Sequence, residues 1–282
     1  LLTALTSYLD ARAQQGEWLV RIDDLDGGRT RPGASDTILA TLDALGLHWD
    51  RDILYQSQRT SRYAEFLEQL WKQERLYACT CSRRLLAEAP PLADGACPSR
   101  CRDHQISFEP GTTALRIRVP EVPVHFEDRI KGELTVQLQH ESGDFALFRR
   151  DGVHAYHLAT VIDDHDSGIT DVVRGEDLLD STPQQIFLQE CLNLKTPRYA
   201  HTPLMVSPDG RKLSKSKGAP PIDHQKAGRV MATLLQYLGI NLPETLQGAS
   251  AQDLLEWAIP HWDVLQIRQI GTLIVEDNQI PE

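Results

Sequence analysis

The run Arg211-Lys-Leu-Ser-Lys-Ser-Lys217 places four cations and two hydroxyls within seven residues of an otherwise acidic chain. Side chains of this kind suit a polyphosphate, whose charge moves while a bond to phosphorus breaks. The preceding Ser207-Pro-Asp-Gly210 reads as a tight turn, and Tyr199–Val206 as a strand, so the basic loop is expected at a strand's end. A second group is four thiols, Cys79-x-Cys81 and Cys97-x3-Cys101, with fifteen residues between the pairs. Four thiolates satisfy tetrahedral zinc, and a site closed by four protein ligands is structural, not catalytic. Cys79 and Cys81 are too cramped for an easy disulfide. The fifth cysteine, Cys191, falls in the apolar stripe of an expected helix and reads as a small buried residue.

Carboxylates and one guanidinium form the third group. Asp23, Asp24 and Asp26 follow an expected strand, where ligands of an open α/β sheet collect; they can hold an amino group or form a solvated acidic turn. Arg174 ends the run Asp-Val-Val-Arg, again past a strand, and Tyr156 opens the preceding helix. A guanidinium fork with a phenol can grip a carboxylate. Equally, Arg174 can pair with Glu176 or Asp177 while Tyr156 fills the core. Asp163, Asp164 and His165 are expected to cap a helix and order loops in preference to holding a metal.

Alternating elements must position these groups. Glu17–Asp23 reads as a buried strand. Pro32–Gly46 reads as a helix with Ile38, Leu42 and Leu45 on one face. Residues Tyr63, Phe66, Leu67, Leu70 and Trp71 follow helical spacing between Thr60 and Glu74. Such alternation fits half of an open α/β sheet. From Cys79 the pattern changes to cysteines, prolines and short β-like runs, Ala114–Val119 and Leu134–Leu138. It resumes near Phe145 with a helix over His154–Asp163, a strand ending at Arg174, and a helix to Leu194 opened by the capping box Thr182-Pro-Gln-Gln185. Gln225–Gly239 and Ala251–His261 read as two further helices. The expected organisation is 1–78 as the first half of an α/β catalytic domain, 79–144 as a zinc-bearing insertion, 145–218 as the second half, and 219–282 as a short helical tail.

The 282 residues, 41 % hydrophobic, suffice for one sizeable core plus an appended unit. No run approaches 18 apolar residues, which excludes a membrane-spanning helix in the sequence given. The first residues, Leu-Leu-Thr-Ala-Leu, lack the basic region and cleavage site of a signal peptide. The net charge of −11 argues against a generic nucleic-acid binder. Charge is uneven: residues 82–150 carry ten basic and ten acidic side chains, whereas 219–282 carry three against eight. An RNA contact is therefore expected at the middle segment, with Arg83, Arg84, Arg100 and Arg102, and at the lysine loop. Odd cysteine number and paired spacing fit a reducing cytosol.

The order Lys-Leu-Ser-Lys-Ser resembles the signature loop of class I aminoacyl-tRNA synthetases. Tyr156-His-Leu-Ala-Thr-Val-Ile-Asp-Asp-His165, Gly168-Ile-Thr-Asp-Val-Val-Arg-Gly-Glu-Asp177 and Trp18-Leu-Val-Arg-Ile-Asp-Asp-Leu-Asp26 are similar to its glutamyl group. With the short acidic tail, the chain resembles most the branch that places glutamate on the queuosine base of tRNA(Asp), over residues 1 to about 240. The resemblance implies a Rossmann-like catalytic domain that activates L-glutamate with ATP and Mg²⁺, then meets the tRNA(Asp) anticodon loop, as a cytoplasmic monomer. It implies that Lys215, with Lys212 and Ser214, binds ATP phosphates and offsets charge on departing pyrophosphate. Asp23 would hold the substrate's amino group, and Tyr156 and Arg174 would surround bound glutamate. Asp23 stands where the family has Glu, shorter by one methylene, roughly 1.5 Å of reach. In the family a Tyr or Cys occupies the third zinc position, here Cys97. The family also carries an earlier strand and a His-rich motif, supplying an Arg and a Ser for glutamate. No such pattern occurs among the ten histidines, and a start lacking its first segment is expected. Two rivals stand: an ordinary glutamyl-tRNA synthetase cut short at both ends, and a non-catalytic paralogue that binds glutamate or RNA.

Overall fold

The computed structural model describes residues 1–28, 33–88, 94–206, 224–270 and 272–274. Helix α1 (Leu2–Ala13) buries Leu2, Leu5, Tyr8 and Leu9. Strand β1 (Arg21–Ile22) pairs in parallel with β2 (Leu54–Tyr55), and α2 (Ala34–Ala44) crosses between them. A crossover of this kind is needed because parallel neighbours cannot be joined by a tight turn. Past α2, Gly46 takes a φ of 73°, a left-handed angle that admits Gly without strain. Of the expected apolar face of α2, Leu42 and Leu45 are buried but Ile38 is 37 % exposed. Only the last turn of this helix reaches the core.

Helix α3 (Thr60–Lys72) buries Tyr63, Phe66, Leu67 and Leu70. Trp71 is 45 % exposed, because one residue beyond Leu70 the helix has turned about 100° away from the buried stripe. The next segment comprises β3 (Leu76–Cys79), α4 (Arg83–Glu88), β4 (Ala114–Ile117), β5 (Val124–Asp128), β6 (Gly132–Val136), α5 (Leu138–Glu141) and β7 (Phe145–Phe148). Strands β3, β4 and β7 form an antiparallel sheet beside the cysteines. The β5–β6 hairpin joins a different sheet, ordered β6-β5-β9-β8.

In that sheet β8 (Asp171–Gly175) lies parallel to β9 (Arg198–Thr202), and β9 parallel to β5. Two helices, α6 (Tyr156–Asp166) and α7 (Thr182–Leu192), flank β8 in sequence and pack together with α3 into one apolar core. Leu158, Ala159, Val161 and Ile162 supply the buried face of α6. The expected capping box at Thr182 does not form: α7 has no side-chain cap, and the Thr182 hydroxyl is engaged elsewhere. A second core joins α1 to α8 (Ala227–Tyr237) and α9 (Ala251–Ala258), the latter opened by a genuine capping box of Ser250 and Asp253. Strand β10 (Met205–Val206) pairs in parallel with β11 (Leu273–Ile274). No described helix is long and apolar enough to cross a membrane.

Candidate functional site

Strand β3 delivers Cys79, the turn after it Cys81, and a single 3-10 turn at Cys101–Asp103 brings Cys101 back towards both. Arg100 enters that turn at a φ of 48°, and the backbone N–H of Cys101 donates to Cys97 Sγ at 3.2 Å. All four sulfurs lie within 4.8 Å of one another, and Cys81 and Cys101 are 3.7 Å apart. A tetrahedral zinc with bonds of about 2.3 Å requires sulfurs about 3.8 Å apart. The donor set therefore fits one structural zinc, held by Cys79, Cys81, Cys97 and Cys101, as expected. Burial pushes Cys81 up, but hydrogen bonds from Ser99 and from the Cys97 and Cys79 thiols outweigh it and bring it down to about 7. Buried Asp144 ties the cluster to its sheet, accepting from the Tyr77 hydroxyl at 2.9 Å, the Val119 N–H at 2.8 Å and Arg102 at 3.4 Å.

The arginines expected to face RNA here are less available than the sequence implies. Arg84 pairs with Glu88 at 2.8 Å, Arg100 with Asp94 and Asp103 at 3.0 and 2.6 Å, and Arg102 with Asp94 at 2.8 Å. Arg84, Arg100 and Arg102 thus each meet an acid of the same segment, whereas Arg129, Lys131 and Arg149 reach acids outside it. Arg83 has its backbone in α4, and its side chain lies outside the described atoms.

Asp23, Tyr156 and Arg174 line one cleft of about 930 Å³. Its walls are residues 18–21 beside β1, residues 171–174 of β8, and side chains of α1 and α6. β1 and β8 each have one strand neighbour among the described residues and face this cleft with the other edge. Arg21 organises one wall: its Nε donates to Asp23 Oδ1 at 2.7 Å and its Nη1 to Asp164 Oδ1 at 2.5 Å. Burial opposes the Arg21 charge, but Asp164 and Asp23 more than offset it and push its pKa further up. Asp164 therefore acts as an ion-pair partner, and Asp163 as a buried tie. Asp163 accepts from Arg59 Nε at 2.7 Å, Gln56 Nε2 at 2.9 Å and the Tyr63 hydroxyl at 2.9 Å. The expected helix cap does not form, since both carboxylates lie inside α6 and its N-terminus carries no side-chain cap; they tie the helix instead to β1 and to the Gln56–Tyr63 stretch. Asp24 likewise accepts from Ser57, at 2.6 Å from its hydroxyl and 2.8 Å from its N–H. Asp26 pairs with Arg149 at 3.0 Å.

Arg174 is 7 % exposed, and its guanidinium is held by side chains other than the expected Glu176. Glu176 pairs instead with Lys131 at 2.8 Å. The Nε–H of Arg174 donates to His201 Nε2 at 3.0 Å. Its Nη1 reaches Gln185 Oε1 at 2.7 Å and the Tyr156 hydroxyl at 3.4 Å; its Nη2 reaches Thr182 Oγ1 at 2.7 Å and the Leu178 carbonyl at 3.3 Å. A two-pronged grip on a carboxylate would have to displace short bonds. The contact that yields most easily is the 3.4 Å one to Tyr156, since hydrogen bonds weaken at that length. The neighbouring His157 is pushed down to about 4 by burial and then by the Arg174 charge, so its ring stays neutral. Sequence reasoning did not single out Arg21, His201 or Asp128. Only the first carries a signal, standing two residues before Asp23. Lys212, Ser214 and Lys215 lie outside the described residues.

Residues 1–239 match the family model described as tRNA synthetases class I (E and Q), catalytic domain. The glutamyl-Q tRNA(Asp) synthetase of Ectopseudomonas mendocina (strain ymp) is 47 % identical over 274 residues, covering 97 % of this chain and 91 % of that protein. The chain belongs to the glutamyl-Q tRNA(Asp) synthetases, within the class I (E and Q) family. The enzyme of the same name from Pseudomonas aeruginosa PAO1 is 48 % identical over 273 residues, with the same two coverages. These coverages lend no support to the expected shortfall at the start. Among solved structures, a glutamate–tRNA synthetase from Elizabethkingia anophelis superposes with a TM-score of 0.76 at 22 % identity. It covers 99 % of this chain, which spans 65 % of that longer one; at such identity the likeness speaks for the fold alone.

Proposed function

We propose that the protein is a ligase that activates L-glutamate with ATP and transfers the glutamyl group to queuosine in the anticodon loop of tRNA(Asp), acting as a monomer. The observation that carries the reading is the convergence of Asp23, Tyr156 and Arg174 on one cleft at the ends of β1 and β8. In the proposal, a substrate carboxylate docks between Tyr156 and Arg174 Nη1, and Asp23 receives the amino group. Arg21 holds the Asp23 carboxylate in place for that role. The α-carboxylate then attacks the α-phosphorus of ATP, the bond from that phosphorus to the bridging oxygen breaks, and pyrophosphate leaves. Lys215, with Lys212, Ser214 and Mg²⁺, offsets the charge that collects on pyrophosphate. No protein nucleophile is required; orientation and charge stabilisation do the work. Zinc supplies folding energy to the cysteine unit and takes no part in the steps.

Identity of 47 to 48 % to glutamyl-Q tRNA(Asp) synthetases, over 97 % of the chain, supports this reading over the ordinary synthetase. The test is charging of tRNA(Asp) that carries queuosine, beside the unmodified transcript and tRNA(Glu). Product should form on the queuosine-bearing tRNA alone and survive oxidation of the 3′-terminal ribose, provided that the queuosine diol is protected. Charging of tRNA(Glu) that vanishes on 3′ oxidation would replace this proposal with the rival. In a companion test, Lys215→Ala should slow glutamate-dependent pyrophosphate exchange while leaving glutamate binding intact, because its partner gains charge only in the transition state.

A further inference from the structure

Three neighbouring parallel strands place one side chain each in a continuous buried line. Arg174 on β8 stands in register with His201 on β9, and Asp128 closes β5 on the other side of β9. His201 Nδ1 and Asp128 Oδ2 are 2.6 Å apart, and both side chains are fully buried. We propose that Asp128 and His201 are positioning residues for the glutamate site, which fix the orientation of Arg174 and leave Nη1 as the donor that meets a substrate carboxylate beside Tyr156. This rests on the role given to Arg174 under Proposed function.

The argument is one of donors and acceptors. Arginine Nε carries a hydrogen and accepts nothing, so His201 Nε2, 3.0 Å away, must be a bare lone pair. The ring hydrogen then sits on Nδ1 and points at Asp128. A proton on Nε2 would oppose the Arg174 N–H head-on. Asp128 is built as a fixed acceptor for that purpose: one oxygen takes the backbone N–H groups of Ile130 and Lys131 at 2.9 and 2.8 Å, the other takes the imidazole. Burial pushes its carboxyl up, but His201 and these N–H groups outweigh it and hold the carboxyl below the usual range. Thr182 adds the second brace. Its hydroxyl oxygen accepts from Arg174 Nη2 at 2.7 Å, and its hydrogen is directed to the Leu178 carbonyl at 3.4 Å, because the lone pair of His201 Nε2, 3.1 Å away, is already taken by Arg174. With the Nε edge on His201 and Nη2 on Thr182, the plane of the guanidinium is set and Nη1 faces Tyr156.

Substitution of Asp128 by Asn keeps the shape and reverses the logic. The carboxamide oxygen can stay on the Ile130 and Lys131 N–H groups while its NH₂ faces the ring, forcing Nδ1 to accept and Nε2 to carry the hydrogen against Arg174. Expected for Asp128→Asn in the full-length protein is a rise in KM for glutamate on the order of tenfold, with KM for ATP and kcat of pyrophosphate exchange little changed. His201→Gln should retain most of the affinity, because its amide oxygen can accept from Arg174 and its NH₂ can donate to Asp128. His201→Leu, lacking the acceptor, should behave like Asp128→Asn. The direct readout is the ¹⁵N NMR signature of His201: hydrogen on Nδ1 in the wild type, on Nε2 in Asp128→Asn. An Nε2–H ring in the wild type, or a folded Asp128→Asn protein with wild-type KM for glutamate, would overturn the proposal. Arg174→Lys separates it from the reading beneath. If that variant also binds glutamate normally, the glutamate site itself is misplaced; if Arg174→Lys weakens glutamate and Asp128→Asn does not, only the positioning role falls. Should Asp128→Asn fail to fold, the wild-type tautomer and the Gln and Leu variants at His201 still decide the matter.

Discussion

The cysteine cluster and the Arg174 cleft are both assemblies of buried polar groups, but they draw on the chain very differently. Residues 79 to 101 supply every thiol. The cleft takes Arg21 from β1, Tyr156 and Asp164 from α6 and Arg174 from β8, and the buried network behind Arg174 adds Asp128 from β5, Thr182 and Gln185 from α7, and His201 from β9. A local assembly needs two turns and a metal. A distributed one exists only when several elements have packed. The difference sets which site is legible in advance, and which site each perturbation reaches.

The largest effect should come from zinc. Purified protein should carry about one zinc per chain, and chelation should unfold the unit around Cys79–Cys101, since zinc contributes roughly 10–16 kcal/mol to small zinc-folded peptides. Because α3, α6 and α7 pack in a core that contains none of the cysteine ligands, glutamate binding should largely survive. Native protein with no zinc and all four thiols rapidly alkylated would end the zinc assignment. Loss of glutamate binding in step with zinc would show the two assemblies to be one cooperative unit.

Asp163→Ala probes the distributed side. It strands Gln56 and the Tyr63 hydroxyl, which point at a fully buried carboxylate, and leaves Arg59 with Asp166 as its remaining ion-pair partner. Each buried polar group left unsatisfied costs about 1–3 kcal/mol, so a loss of roughly 2 kcal/mol or more is expected. Urea unfolding should show that loss with zinc content unchanged. A loss below about 1 kcal/mol would mean that water replaces the carboxylate.

Much of this is legible in the amino-acid sequence. The strand before Arg174, helices α3, α6 and α7, and the four-thiol site follow from spacing, because each depends on neighbours in sequence; the buried strand expected over Glu17–Asp23 shrinks to the half-buried Arg21–Ile22, since its edge borders the open cleft. Asp128 is not legible. It is one acid among forty, and its meaning arises from β5 lying beside β9, a pairing between residues 128 and 199. Thr182 misleads for a related reason. The local pattern asks for a helix cap, but the tertiary structure offers its hydroxyl an arginine. The pairing of Arg84, Arg100 and Arg102 with acids shows the same limit, since a count of charges does not say which ones meet.

Arg174→Ala should act on both stability and binding. Loss of a charged hydrogen bond of about 1.5–3 kcal/mol weakens glutamate roughly 10- to 150-fold. The same change leaves His201, Gln185 and Thr182 facing a hole, so denaturant stability should fall as well. Calorimetric titration with glutamate and urea unfolding give the two numbers separately. A stability loss with normal glutamate affinity would return Arg174 to a purely structural role.

The smallest effect tests whether a distributed contact matters once it reaches solvent. Asp166, at the end of α6, pairs with Arg59 at 2.5 Å and Arg62 at 2.9 Å, while Asp163, one turn earlier on the same helix, shares Arg59 from inside. Arg62, then burial in the opposite direction, then Arg59 hold the Asp166 carboxyl below its usual range. A carboxyl lowered by folding contributes stability above its unfolded pKa, about 3.9, and that contribution disappears as pH falls through the lower folded value. Asp166→Asn should therefore cost less than about 1 kcal/mol at pH 7, as partly exposed ion pairs do. The gap between variant and wild type should close as pH drops below about 4, and should shrink in 1 M salt, where screening is short-ranged. Unfolding curves at pH 7 and pH 3 measure it. A cost as large as that of Asp163→Ala, persisting at pH 3, would mean that Asp166 acts through packing and not through charge, and that the boundary between the buried tie and the solvated pair lies one turn further out than burial places it.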